Sequence, residues 1–251
     1  MERIQKLNRY QKGILLLLIA MVVIFSAVYF SLSSQVGFVY KDAFLKKSVE
    51  GENTIYSGSI GMKTATFTVT EEKSLTFTYG DKTHGPFTAK EDPTAIPKHN
   101  GKANEMTGIE VREGDEILFR GGALFGVSGM VLVEEETGET DYGISGSGYD
   151  VNGNLLGDAK PSIYTILCVL RGPELTQRVK WPAWFGGMFL SLVTAIYILF
   201  ADELFYIRMS FRVEYAEDLY PSAWEIIGRY AGWTVCTVAT FVVFTSGLIV
   251  S

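Results

Sequence analysis

The chain has 251 residues, 47% of them hydrophobic, and a formal net charge of −6. Residues 35–180 hold 21 Asp and Glu against 15 Lys and Arg, and this acidic balance argues against nucleic acid, whose binding needs clustered cations. Cys168 and Cys236 are the only cysteines, too few for a disulfide framework, so the middle of the chain must fold on its own apolar core.

Residues 1–12 form a basic tail with Arg3, Lys6, Arg9 and Lys12. Residues 13–34 follow without a charge. The run from Ile14 to Leu32 spans about 28 Å as a helix, close to a hydrocarbon core of about 30 Å. A cleaved signal would have an apolar core of about 7–15 residues, although Ser31-Leu32-Ser33 offers a small-x-small cleavage site. The length favours a retained transmembrane helix, with the four cations holding the N-terminus in the cytoplasm. Residue 35 onward is then exported.

Residues 35–180 read as an extracytoplasmic β domain. Ala65–Thr70 and Leu75–Tyr79 are rich in Thr, aromatic and β-branched residues and flank a polar turn, the pattern of a hairpin. Further strands are expected at 54–60, 84–88, 107–112, 116–120, 124–134, 142–150 and 162–170. Strands at this spacing predict a small sandwich or barrel. Residues 90–106, with Pro93 and Pro97, predict a long loop. Gly121 to Val133 carries no charge and is too short to span a bilayer, which predicts a buried strand.

Residues 181–201 and 226–250 predict two more transmembrane helices. Trp181, Trp184 and Tyr197 lie near the edges of the first, as interfacial aromatics do. Arg229 is the only charge in the second, near its start, where a long side chain reaches the headgroups. Residues 202–225 between them form a cytoplasmic loop. Part of it, Ile207–Tyr215, fits a strand alternation and a helical stripe alike; a helix continuing past the membrane surface is favoured, ending in a short extended piece before Pro221. Ser222 and Glu225 have the spacing of a capping box at the start of the last helix. The C-terminus is then extracytoplasmic. Small residues recur every four positions in both helices: Gly187, Ser191 and Ala195 in one, Gly228, Gly232, Cys236 and Thr240 in the other. Such rows let helix backbones approach closely in lipid. They serve either the packing of this pair or association with a partner or second copy.

Chemistry is sparse. Asp150, Asn152, Asn154 and Asp158 place oxygen ligands as a calcium loop begins, but Pro161 stands where a bidentate Glu is needed. Asn152-Gly153 is equally a hairpin turn. Gly143 to Gly148 fits neither a nucleophile elbow nor a phosphate loop. His84 and His99 are the only histidines and lack a third patterned zinc ligand. Glu134-Glu135-Glu136 reads as a solvated turn or as a patch for a cationic partner. No cofactor is expected.

A basic tail, a single helix, an exported β domain and a C-terminal helix pair, with the phrases YGDKTHGPFTAKEDPTAIP (79–97) and PSAWEIIGRYAGWTV (221–235), resemble uncharacterised three-helix membrane proteins of Gram-positive bacteria. The resemblance implies a bacterial plasma membrane and no particular activity. The expectation is an α+β membrane protein whose all-β domain is flanked by one N-terminal and two C-terminal transmembrane helices. Its function is then non-enzymatic: an accessory subunit, sensor or envelope interaction module in contact with lipid, with a membrane partner or itself. A membrane-tethered envelope enzyme using His84 and His99, and a small homo-oligomeric channel lined by Thr234, Thr237, Thr240 and Thr245, are the alternatives.

Overall fold

The computed structural model describes residue 5 and residues 7–98, 101–126, 129–143, 148–149, 155–156, 160–211 and 220–248. Two compact units emerge, Gln35–Gln177 and the union of Met1–Ser34 with Arg178–Ile249.

The first unit is built on one antiparallel sheet. Strands β1 (Val36–Tyr40), β2 (Ala43–Glu50), β3 (Asn53–Ile60), β4 (Lys63–Val69), β5 (Ser74–Tyr79), β6 (Lys82–Glu91), β7 (Thr107–Glu113), β8 (Glu116–Gly126), β9 (Gly129–Glu134) and β10 (Thr140–Asp141) pair strictly in chain order. Two short strands, β11 (Gly148–Tyr149) and β12 (Leu155–Leu156), pair only with each other, and β13 (Thr176–Gln177) returns beside β1. The hairpin of β4 and β5 lies where the sequence places it. The β1–β2 hairpin was not expected, because its turn is Lys41-Asp42, both at positive φ (47° and 61°). Glycine or asparagine usually announces that conformation.

One face of the sheet carries the core. Period-2 alternation puts Phe38, Leu45, Tyr56, Phe67, Phe77, Phe87 and Val111 in one buried cluster. Register aligns Tyr56 with Phe67, Phe67 with Phe77 and Leu75 with Phe87. The sheet is not closed: β10 and β13 stand at opposite ends of its strand order, so what forms is one large antiparallel sheet rather than a closed barrel. A helix, α2 (Ile163–Arg171), completes the core with Ile166, Leu167 and Val169. This corrects the strand expected at 162–170. Ser162 caps the helix by accepting from the Thr165 N–H at 3.2 Å, and a nine-residue apolar run does not by itself distinguish the two periods. The single strand expected at 124–134 is likewise corrected. The uncharged run divides between β8 and β9, with Gly126 opposite Gly129.

The second unit contains α1 (Arg9–Ser33), α3 (Trp181–Leu199), α4 (Ala201–Ser210) and α5 (Ala223–Ser246). The α1, α3 and α5 helices are each long and apolar enough to cross a membrane. The first begins four residues before the uncharged run, at an Asn8–Gln11 capping box. One stripe of α1, Ile14, Leu18, Met21 and Tyr29, is buried within the unit. Hydrogen bonds fasten it, among them Tyr29 to the Phe244 carbonyl (2.7 Å), Trp184 Nε1 to Ser26 Oγ (3.2 Å) and Tyr10 Oη with Thr234 Oγ1 (2.6 Å). The α4 helix follows α3 directly after Phe200, so Ile207–Ser210 is helical. The extended piece expected before Pro221 lies outside the described residues.

Candidate functional site

Residue types that carry chemistry gather in two places in the β unit. The first is a charged ladder on the sheet face opposite the core. Register sets Lys90 opposite Glu110 and Glu110 opposite Arg120. Glu110 is 4% exposed. It accepts from Arg112 Nε at 2.6 Å and pairs with Lys90 at 3.0 Å and Arg120 at 3.7 Å. Arg120 also pairs with Asp92 and Glu135. The hydrogen bond from Arg112, then that from Lys90, holds the Glu110 carboxyl below its ordinary range. Bonds from the Thr94 side chain and backbone, with Arg120 beside it, do the same for Asp92.

A loop lies against this ladder. Asp92 N donates to the Gly108 carbonyl at 2.9 Å. A Cβ at Gly122 would meet Met106 Sδ at 2.6 Å and Pro97 Cδ at 3.1 Å. A Cβ at Gly108 would likewise strike the Asp92 carbonyl, so both strand positions are bare where residues 92–98 and 101–106 lie across them. Ala95, Pro97 and Met106 are buried there. The described parts of the long loop are thus anchored at three buried positions that its polar sequence conceals. Two of the three triplet carboxylates are engaged internally, Glu135 with Arg120 and Glu134 with the Thr137 hydroxyl.

The second place is a cavity of about 540 Å³ between α2 and strands β6 and β7. Ala89, Ile109, Leu167 and Leu170 give it an apolar floor, and Lys73, Arg171 and Glu91 bring charge to it. Lys90 contributes to the wall, but its ammonium is taken by Glu110. Arg171 ends α2 with its guanidinium 3.8 Å from the centre of the Phe125 ring. Nearby Cys168 is half-buried, and burial raises its thiol pKa, which makes it a poor nucleophile. The sequence hid this site because its residues come from a turn, two strands and a segment read as a strand instead of a helix.

The predicted packing rows separate on the helices. Gly187 and Ser191 are buried, and a Cβ at Gly187 would strike the Phe244 ring at 2.6 Å. Ala195 is half-buried beside them. On α5 the buried stripe is Arg229, Trp233, Thr237, Thr240 and Phe244. Only Thr240 of the predicted row belongs to it. Cys236 is half-buried, a Cβ at Gly232 would touch Tyr197 at 3.8 Å, and nothing lies within 4 Å of one at Gly228. The four threonines proposed for a pore each donate to the carbonyl four residues back: Thr234 to Tyr230, Thr237 to Trp233, Thr240 to Cys236 and Thr245 to Phe241.

Arg229 does not reach outward as expected. It is 8% exposed and donates to Asp202 Oδ1 at 2.8 Å, with Glu225 Oε1 at 3.6 Å. Ser222 caps α5 through the Glu225 N–H, but the Glu225 carboxylate turns to Arg208 (2.5 Å) and Arg229 and leaves the capping box half made.

His84 is half-buried, its ring stacked at 6.4 Å from Phe77 and its Nε2 without a hydrogen-bond partner. His99 lies outside the described residues, as do Asp150, Asn152, Asn154 and Asp158 of the calcium-loop candidate. The strands on either side of 150–154 pair antiparallel, Tyr149 with Leu155 and Gly148 with Leu156. Among the described residues, no group of three or more His, Cys, Asp or Glu side chains is placed to hold a metal. Compared with known proteins, the chain matches no family model, no curated protein and no solved structure.

Proposed function

We propose that the chain is an integral membrane protein spanning the bilayer three times and displaying its β unit on the extracytoplasmic side as a non-enzymatic accessory, sensor or interaction module. The observation that carries this reading is the apolar surface of the helical unit. Leu16, Ile19, Val23 and Ile24 of α1, Phe185, Phe189 and Leu192 of α3, and Val235, Val238 and Phe241 of α5 are all exposed. Three helices that bury one stripe and leave apolar side chains on the rest of their surface suit lipid rather than water. Retention of α1 is supported by its hydrogen bonds to α3 and α5, which cleavage after Ser33 would remove. The module reading draws on the extent of the β unit, a sheet of eleven strands whose core α2 completes.

Single-cysteine topology mapping tests the placement. In a Cys168→Ala, Cys236→Ala background, Met62→Cys in the β unit should react with an impermeant thiol reagent in intact cells. Phe211→Cys, beyond α4, should react only after permeabilisation. Both positions are exposed. The reverse pattern, or release of the protein by alkaline wash, overturns the reading. An intact mass that includes residues 1–33 is expected from the membrane fraction.

A further inference from the structure

We propose that the cavity between α2, β6 and β7 binds a small amphipathic anion, a carboxylate or phosphate on an apolar body, with Arg171 and Lys73 holding the charge. This deepens the module reading and rests on it, since the cavity is treated as a place of binding and not of reaction.

Size comes first. About 540 Å³ falls within the range of small-molecule sites, about 300–1,000 Å³. Lining comes second. Ala89, Ile109, Leu167 and Leu170 supply an apolar surface continuous with the domain core. Such a surface retains an apolar body but gives it no orientation.

Charge comes third. The β unit is acidic overall, yet this cavity is lined by Lys73 and Arg171 against one carboxylate, Glu91. Neither cation forms an ion pair among the described residues. The other two Arg of the β unit are committed: Arg112 to Glu110 and Arg120 to three carboxylates. Arg171 complements the negative end of α2 and stacks on Phe125, which accounts for one cation. It leaves Lys73 unexplained, held at the β4–β5 turn with φ +58° and brought to the same cavity from another element. Two cations with no ion pair among the described residues, beside an apolar floor, match a ligand with an anionic head and an apolar tail. A planar guanidinium also suits the two oxygens of a carboxylate or phosphate.

The test uses the full chain in nanodiscs of zwitterionic lipid, with 4-phenylbutyrate as probe and 4-phenylbutanol as its uncharged counterpart, followed by calorimetry. The acid should bind at least about tenfold more tightly than the alcohol, since a charged hydrogen bond is worth about that factor or more. Arg171→Gln and Lys73→Gln should each weaken the acid by a similar factor and leave the alcohol unchanged. Ala89→Leu, which narrows the cavity at its apolar floor, should weaken both. Equal affinity for acid and alcohol overturns the proposal. So does binding that survives both charge removals, or no binding at low millimolar probe in protein whose melting curve shows a folded β unit. Nanodiscs doped with phosphatidate separate two sources of the same chemistry: competition with the probe assigns a lipid ligand, and unchanged binding a soluble acid. Mass spectrometry of the recovered probe keeps the two readings distinct. A chemically altered probe refutes the non-enzymatic module while leaving the bound anion in place.

Discussion

Tyr29 links α1 to α5, and its replacement measures whether the first helix belongs to the folded protein. The side chain is fully buried and donates to the Phe244 carbonyl at 2.7 Å. That carbonyl lies in the last turn of α5. The Leu248 N–H, which would reach it in a continuing helix, bonds to Thr245 instead. Tyr29→Phe therefore removes the donor and leaves a buried acceptor unpaired. The cost in water-soluble cores is about 1–3 kcal/mol. Hydrogen bonds between membrane helices measure less, about 0.6 kcal/mol on average and up to about 1.7. A loss of about 1 kcal/mol is expected, with Tyr29→Ala costing about 3 kcal/mol or more because the ring goes too.

Gly247 provides a second handle on the same contact. A Cβ there would press on the Tyr29 hydroxyl and on Ala183 Cβ, and it would lie 3.0 Å from the Lys180 carbonyl. Gly247→Ala should destabilise by about 1–3 kcal/mol through overpacking. The double variant with Tyr29→Phe should cost less than the two singles together, because removing the hydroxyl makes room for the methyl. Unfolding of the helical unit by SDS titration, followed by tryptophan fluorescence, reads these values, since all four tryptophans lie in that unit. If Tyr29→Phe and Tyr29→Ala both unfold like the parent, α1 does not pack on α5 and the argument for its retention loses its main support.

In the β unit, Phe67→Ala should cost about 3–5 kcal/mol, because Phe67 is fully buried with the Tyr40 and Phe77 rings at 5.1 and 4.4 Å; a near-ultraviolet CD melt checks this. Gly122→Val should cost about 1–3 kcal/mol and speed proteolysis within residues 98–106, as Met106 and Pro97 are pushed off the sheet. Asp42→Gly should stabilise by about 0.5–1 kcal/mol by relieving a left-handed residue in the β1–β2 turn; a higher melting temperature is the readout. Glu113 accepts from Lys160 Nζ at 2.6 Å and from the Gly85 N–H at 2.8 Å, and the Lys160 bond leads in holding its carboxyl below the ordinary range. A lowered folded-state pKa gives stability that is present above the unfolded value, about 4.3, and is lost as pH falls through the folded one. Glu113→Gln should therefore melt lower than the parent at pH 7, and the difference should narrow as pH falls below about 4.3; a constant difference would show that the carboxylate charge contributes nothing.

The sequence by itself determined the elements whose signals are local. The apolar helices are legible in length and charge alone, because a span must run about twenty residues without a charge whatever it packs against. The hairpin of Ala65–Thr70 and Leu75–Tyr79 is legible because β-branched and aromatic residues flank a polar turn. Signals that depend on a partner were not legible. The run at 162–170 became a helix because it closes the core over β4, β5 and β6, and nothing within nine apolar residues states that. The turn Lys41-Asp42 hid two strands because its conformation is held by the strands it joins and not by glycine. Arg229 looks like a headgroup anchor in one dimension, but Asp202 and Glu225 claim it in three. The ladder of Lys90, Glu110 and Arg120 exists only through register, and the two cations of the cavity meet only when a turn and a helix end fold toward the same strands. Tertiary structure alone decides such encounters, because charges and rings far apart in the chain interact through space and leave no period in the sequence.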